Sequence, residues 1–334
     1  MKAIPLQAQR ARPTNVNGMY LPRFLTRFLA LFVAACLGSP SALFAQTSAT
    51  PLELMVLGSG GPGATGRAAS CYLVLIDGTP RILVDAGPGA FVRLGEAKLS
   101  LSDTDIVLLT HLHIDHAGEL PGLFKARAIS GGDAIVFKVW GPAGTGVRPA
   151  GSYFPSTSRL LDLLFGKRGA FAYLSDFAAP ITIQAHDIPT PTHADPAPRV
   201  IFNEDGLVIR AVAGHHGDAP AVIYRIDYAG KSITFSGDVD AQGLSGLRTI
   251  AKGSGLLVFN SVVLDPPGSR AILYTLHTPP SAIGELARDA GVHSLLLSHS
   301  SPDVEMGHEA VLESIKRNYQ GPVSFAADGT RARP

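Results

Sequence analysis

Six times along this chain, a short apolar run ends in a polar residue of the kind that does chemistry. Leu52 to Leu57 precedes Gly58-Ser59-Gly60-Gly61, and Arg81-Ile82-Leu83-Val84 precedes Asp85. Ile106 to Leu109 precedes His111, and Leu207 to Val212 precedes His215-His216. Ser232 to Ser236 precedes Asp238, and Ser294 to Leu297 precedes His299. Runs of four to six residues without polar alternation predict strands buried on both faces. Functional groups then collect where the strands end, on loops held by a rigid sheet. Between the runs, Ser281 to Ala290 carries Ile283, Leu286, Ala287 and Ala290 at helical spacing, and Ser158 to Phe165 is a shorter helix of the same kind. Strands alternating with helices make this an α/β body.

The densest chemistry is His111-Leu112-His113-Ile114-Asp115-His116. On extended or turning backbone, the spacing of His111 and His113 lets both imidazoles reach one ion, and Asp115 and His116 can turn toward a second. Imidazole nitrogen and carboxylate oxygen are zinc ligands, and two adjacent ions can clamp the attacking and leaving oxygens of one reaction. One motif does not complete such a centre. His216, Asp238 and His299 each stand at the end of a buried run, as the missing ligands must. A polar loop of satisfied histidines is a poor account of three His and one Asp in six residues. Singly, Asp238 in Ser-Gly-Asp also suits a turn and His299 a loop, and His215 competes with His216. His186, His193, His293 and His308 are read as solvated or locally bonded. The only cysteines are Cys36 and Cys71; Cys71 opens an apolar run and is read as a buried small side chain.

The first 45 residues differ from the rest. Arg23 and Arg27 precede the apolar run Phe28 to Leu37, and small residues lead to Ala45-Gln46. The pattern predicts an export signal at 1–45, cleaved after Ala45, with Met19 an alternative start. The apolar run is half of the roughly 20 residues that a spanning helix needs, so no transmembrane anchor is expected. Val33-Ala34-Ala35-Cys36 also resembles a lipoprotein box, which would tether the protein through Cys36. The expected location is periplasmic or secreted. The remainder, 46–334, is expected to be a single domain, with an insertion or lid at about 141–200 that is rich in Gly, Pro and Ala. The 45 residues hold five of the 28 Lys and Arg and no acid, which leaves 23 against 27 Asp and Glu, about −4 for the body. That balance argues against a nucleic-acid partner.

The His111 to His116 run resembles the signature of the metallo-β-lactamase superfamily. Leu52 to Gly61 is similar to the opening strand and glycine turn of its ribonuclease Z branch, and Asp85-Ala86-Gly87-Pro88-Gly89 and Gly118 to Leu123 to later segments. His216-Gly217 with Ala221 to Ile226 resembles the third-histidine region, favouring His216 over His215. Phe235-Ser236-Gly237-Asp238 resembles the bridging-aspartate motif, Leu297 to Ser301 the last-histidine motif, and Leu276-His277-Thr278 another histidine segment of the branch. The resemblance covers most of 52–330 and is poor over 141–200.

This resemblance implies a four-layer αββα sandwich with metals at one edge of the two sheets. It implies one ion on His111, His113 and His216, a second on Asp115, His116 and His299, and Asp238 bridging them. Asp85 would orient a ligand. His277 would stand near the leaving group, although a histidine at a helix start also suits a cap. The expected chemistry is ester hydrolysis by a metal-bridging hydroxide, with Asp115 and His277 as catalytic groups. Two divalent ions are expected, zinc by default, with manganese or iron also suited to the donor set. Export and the acidic body point to a small phosphodiester. An arylsulfatase-like or lactonase activity is the alternative, with Tyr153, Phe154, Phe165, Phe171, Tyr173 and Phe177 as an aryl pocket or as ordinary packing. A non-catalytic metal-binding protein of the same fold is the third reading, and a homodimer the expected assembly.

Overall fold

The computed structural model describes residues 50–145, 153–191 and 197–334. The expected export signal, Cys36 and His193 lie outside these residues. Ser48–Pro334 forms one compact unit.

The first sheet is built from β1 (Leu52–Gly58), β2 (Cys71–Ile76), β3 (Thr79–Val84), β4 (Ile106–Leu108), β5 (Ile135–Pro142) and β6 (Ile181–Ile188). The second takes β7 (Arg199–Glu204), β8 (Leu207–Ala213), β9 (Val222–Tyr228), β10 (Lys231–Phe235), β11 (Leu256–Asn260), β12 (Ser294–Ser298) and β13 (Val323–Phe325). The closing strand β14 (Arg331–Ala332) returns to the first sheet beside β1. The spatial orders are β14-β1-β2-β3-β4-β5-β6 and β13-β12-β11-β10-β9-β8-β7. The helices are α1 (Ala90–Ala97), α2 (Ile114–Ala117), α3 (Leu120–Ile129), α4 (Thr157–Phe165), α5 (Leu244–Ile250), α6 (Pro280–Asp289), α7 (Pro302–Met306) and α8 (His308–Lys316).

Three apolar layers explain why the strands read as continuous runs. Between the sheets, Leu54, Val56 and Leu108 pack with Tyr224, Phe235 and Val258. On the outer face of the first sheet, Leu73, Val107 and Val139 meet Leu94 of α1, Leu123 of α3 and Leu161 of α4. On the outer face of the second, Leu257, Phe259 and Leu297 meet Leu247 of α5, Leu286 of α6 and Ile315 of α8. A central strand such as β11 is buried at every position, so alternation would place polar atoms in one core or the other. The result is the expected four-layer αββα sandwich.

Strands β3 to β6 run parallel, and so do β10 to β13. Their carboxyl ends open at one edge of the sandwich, where parallel sheets leave room for a ligand site. A bridge between Gly60 and Ser300 links the two sheets at this edge, and Val222 N donates to Thr110 O at 2.7 Å beside it.

Segment 141–200 is more than an insertion. Its second half forms β6, which pairs in parallel with β5 from Ile135↔Ile181 to Pro142↔Ile188. The strand sits at the sheet edge with alternating burial, and Pro189 and Pro191 follow its end. Its core-facing Ile181, Ile183 and Ala185 are separated by polar residues, so it lacks the unbroken apolar run of the central strands. Helix α4, capped by the Ser156 hydroxyl accepting from Arg159 N, and a 3-10 turn at Ala172–Ser175 make the crossover. Cys71 is free and buried, and burial raises its thiol pKa. No described helix is long and apolar enough to cross a membrane.

Candidate metal centre

Strand β4 stops at Leu108, and Leu109 and Thr110 carry the chain to His111. His113 keeps extended geometry, φ −64° and ψ 153°, as the residue capping α2. Extended backbone presents His111 and His113 on one side, and the single helical turn that follows brings His116 back over His111. Their ring centroids are 4.0 Å apart. His111, Asp115 and His116 are buried, whereas Ile114 points outward, 76% exposed.

Asp238 follows β10 on a tight turn. Gly237 there has φ +56°, and a Cβ on it would lie 2.7 Å from Thr110 Cβ, so the turn accepts only glycine without displacement. His299 follows β12, also with a left-handed φ of 56°. His216 lies beyond β8. Each side chain arrives from a different loop at the open edge.

The decisive geometry centres on one oxygen. Asp238 Oδ2 stands 4.0 Å from His111 Nε2, 3.7 Å from His116 Nε2 and 3.6 Å from both His216 Nε2 and His299 Nε2. His277 Nδ1 is also 4.0 Å from it. These separations are too long for hydrogen bonds. They resemble the spacing of donors sharing a cation, since two ligands each about 2.1 Å from a tetrahedral ion stand about 3.4 Å apart. Donor atoms within 4.8 Å of one another group His111, His113 and His216, and likewise Asp115, His116 and His299. Two further groups join His111, His116 and Asp238, and His216, Asp238 and His277.

The donors fit divalent cations. His116 Nε2 is buried without a hydrogen-bond partner, although it faces Asp115 Oδ2 at 3.6 Å. Burial acts to lower the His116 pKa, but Asp85 and Asp238 outweigh it and raise it to about 9. The carboxylates thus draw positive charge to this point. Burial pushes the Asp238 carboxyl up, and the imidazoles around it more than reverse that, holding it well below the carboxylate range. His111 is held neutral, first by burial and then by His116, which leaves a lone pair for a ligand bond. Burial likewise lowers His277 to about 4.

Outer partners aim the donors. Asp85 Oδ2 lies 2.8 Å from His116 Nδ1 and accepts from Thr110 Oγ1 at 2.8 Å, while Asp85 Oδ1 accepts from Thr110 N at 2.7 Å. His216 Nδ1 donates to Leu276 O at 2.9 Å. Asn260 Nδ2 donates to Asp238 Oδ1 at 2.7 Å, which leaves Oδ2 facing the imidazoles. Such bonds fix tautomer and ring orientation. Sequence reading anticipated Asp85 but missed Thr110, Asn260 and the Leu276 carbonyl. Asn260 was open to detection: Leu256 to Phe259 before it is one more apolar run ending in a polar residue. A carbonyl carries no residue-type signal at all.

The other histidines stand apart. His215 turns away from the cluster to Asp240, Nδ1 to Oδ2 at 2.6 Å. His186 stacks on Trp140 and His308 on Phe325. Of the aromatic residues in 141–200, Phe154 lies beside the centre, 5.7 Å from the His113 ring. Phe165, Phe171 and Phe177 pack against the outer core of the first sheet.

The family model for the metallo-β-lactamase superfamily matches residues 64–280. The chain belongs to the metallo-β-lactamase superfamily. As a superfamily member of this donor set it is a metal-dependent hydrolase acting on ester bonds. Among curated relatives, ribonuclease Z of Mycobacterium sp. (strain KMS) is 27% identical over 268 residues, covering 78% of this chain and 87% of that protein. The fold is shared with human tRNase Z, short form, at 20% identity and TM-score 0.63, over 84% of this chain and 99% of that one. It is shared too with the metallo-β-lactamase fold protein YhfI from Bacillus subtilis, at 17% identity and TM-score 0.61, over 85% and 100% of the two chains. The curated relatives support a likeness to the ribonuclease Z branch, and the solved structures share the fold. The family match stops at 280, so His299 joins the site on geometry rather than on that match.

Proposed function

We propose that this protein is an exported hydrolase of small phosphodiesters, working at a centre of two divalent ions, most simply zinc. The observation that carries the reading is Asp238 Oδ2, ringed by five imidazole nitrogens at 3.6 to 4.0 Å. His111, His113 and His216 would hold one ion, Asp115, His116 and His299 the other, with Asp238 shared. When bound, such ions lower the pKa of water and neutralise charge on the ester.

The chain's own groups supply the rest. Asp115 is a carboxylate: burial pushes it up, and His299 and His116 hold it below its usual range. Ionised, it would accept a hydrogen bond from the attacking water while helping to hold the second ion. His277 is buried, with Nδ1 lacking a partner, and its ring lies 5.1 Å from His216 and 6.0 Å from His299. It is placed to give a hydrogen bond to the departing oxygen.

The relatives named ribonuclease Z support a phosphodiester substrate. The acidic body and the signal-like 1–45 segment support a small one over RNA, in a periplasmic or secreted protein. A second reading, an arylsulfatase-like esterase, draws on Phe154 beside His113, where an aryl group would stack. Zinc-loaded protein lacking 1–45 is to be assayed on bis(4-nitrophenyl) phosphate, 4-nitrophenyl sulfate, a lactone, a cephalosporin and a precursor tRNA. Fastest turnover of the phosphodiester is expected, with His277→Ala slower at unchanged zinc content. A precursor tRNA cleaved orders of magnitude more efficiently overturns the small-substrate reading, and a faster sulfate replaces it by the second.

A further inference from the structure

Asp240 is 4% exposed and belongs to none of the donor groups at the metal centre, yet it ties two of the centre's loops together. Its Oδ2 lies 2.6 Å from His215 Nδ1 and accepts from Gly217 N at 3.1 Å. Those residues flank His216 on both sides. Oδ1 accepts from Gln242 N at 2.8 Å, and Asp240 N donates to His215 O at 2.9 Å. Asp240 itself stands two residues after Asp238. A single buried carboxylate thus fixes the loop of His216 against the loop of Asp238.

We propose that Asp240 and His215 form a positioning pair, which sets the separation of His216 from Asp238 and thereby the affinity for the ion that His216 holds. The proposal rests on the two-ion reading above. A carboxylate only accepts hydrogen bonds, so His215 must donate from Nδ1. The two donors that straddle His216 then converge on one oxygen. Removing the carboxylate leaves both donors without that acceptor in a partly buried place and frees the loop. Metal–nitrogen distances tolerate shifts of only about 0.2 Å, so a small drift of the loop is felt as lost affinity. The His216 ring has its own anchor in the Leu276 carbonyl; the pair acts on backbone placement, a separate variable.

The test is Zn2+ titration of the full mature protein against a competing chelator, beside melting of the metal-free form. Asp240→Asn turns one acceptor into a donor and cannot accept from His215, Gly217 and Gln242 together. It is expected to weaken one of two sites by about 10- to 100-fold, the range for lost outer partners. His215→Ala should weaken the same site. His215→Asn keeps an amide N–H at the Nδ1 position and should restore binding to within about threefold. Metal-free melting of the His215 variants should stay within about 2 °C of wild type. If Asp240→Asn does not melt cooperatively, the His215 pair decides. Unchanged binding of two ions in His215→Ala overturns the proposal, as does equal weakening of both sites with lower metal-free stability. A wild-type protein that takes up fewer than two ions instead sinks the two-ion reading itself.

Discussion

Asp85 and His116 form the hydrogen bond that aims the centre, Oδ2 to Nδ1 at 2.8 Å with both side chains buried. Asp85 sits at φ 55°, a backbone region that Asn also tolerates. Asp85→Asn therefore keeps the fold while an amide nitrogen or a single acceptor replaces the carboxylate. Metal affinity and turnover should fall by about 10- to 100-fold. Zinc titration and steady-state kinetics check this; wild-type values in both would show that His116 is aimed by other contacts.

Asp238 and His299 face the same charge centre, and their removal should be read first as metal content. Two zinc ions per wild-type chain are expected, and about one in His299→Ala. Asp238→Ala should lose turnover by at least roughly a thousandfold, because its carboxylate touches both donor sets. Elemental analysis of purified protein settles the stoichiometry. Fewer than two ions per zinc-saturated wild-type chain rules out a dinuclear centre.

Gly61 packs against the last histidine, and an added Cβ would lie 3.0 Å from His299 Cε1 and 3.1 Å from Nδ1. Gly61→Ala should push the ring by a few tenths of an ångström with little effect on the rest of the sheet. Zinc held by Asp115, His116 and His299 is expected to weaken by about tenfold, at a nearly unchanged metal-free melting temperature. A fall in melting temperature with normal zinc affinity would locate the strain in the glycine loop instead.

Glu53 links the first strand to the last. It takes hydrogen bonds from Arg331 and from Arg333, the latter at 2.9 Å. Burial pushes its carboxyl up, and Arg333 and Arg331 outweigh that and hold it below its ordinary range. A lowered folded pKa stabilises above the unfolded value near 4.3, and that stability is lost as pH falls through the folded pKa. Both arginines are solvent-exposed, so the effect is screened to about 1 kcal/mol. Glu53→Gln should thus be less stable than wild type in urea at pH 7, with the difference shrinking toward pH 3. A difference independent of pH would trace to packing.

Much of the fold was legible in the runs themselves, and for one physical reason. A strand segment buried on both faces is mostly apolar, so β3, β4, β10 and β12 announced themselves by short apolar stretches, and a polar residue beyond each marked its open end. Edge strand β6 did not, because one face meets water and its pattern alternates. Helix α4 and helix α6 showed by their spacing, α6 being displaced by one residue from the expected bounds.

Residue type and position in the sequence brought His111, His113, Asp115, His116, His216, Asp238 and His299 forward as metal-ligand candidates, since few other roles suit such side chains at strand ends. Only the tertiary structure decided how they converge. It turned His216 into the cluster and His215 out to Asp240, two neighbours of identical chemistry separated by which partner lies within reach. It also recruited Asn260, Thr110 and the Leu276 carbonyl to aim them. Those choices depend on distances between loops far apart in the chain, and nothing in one-dimensional spacing encodes them.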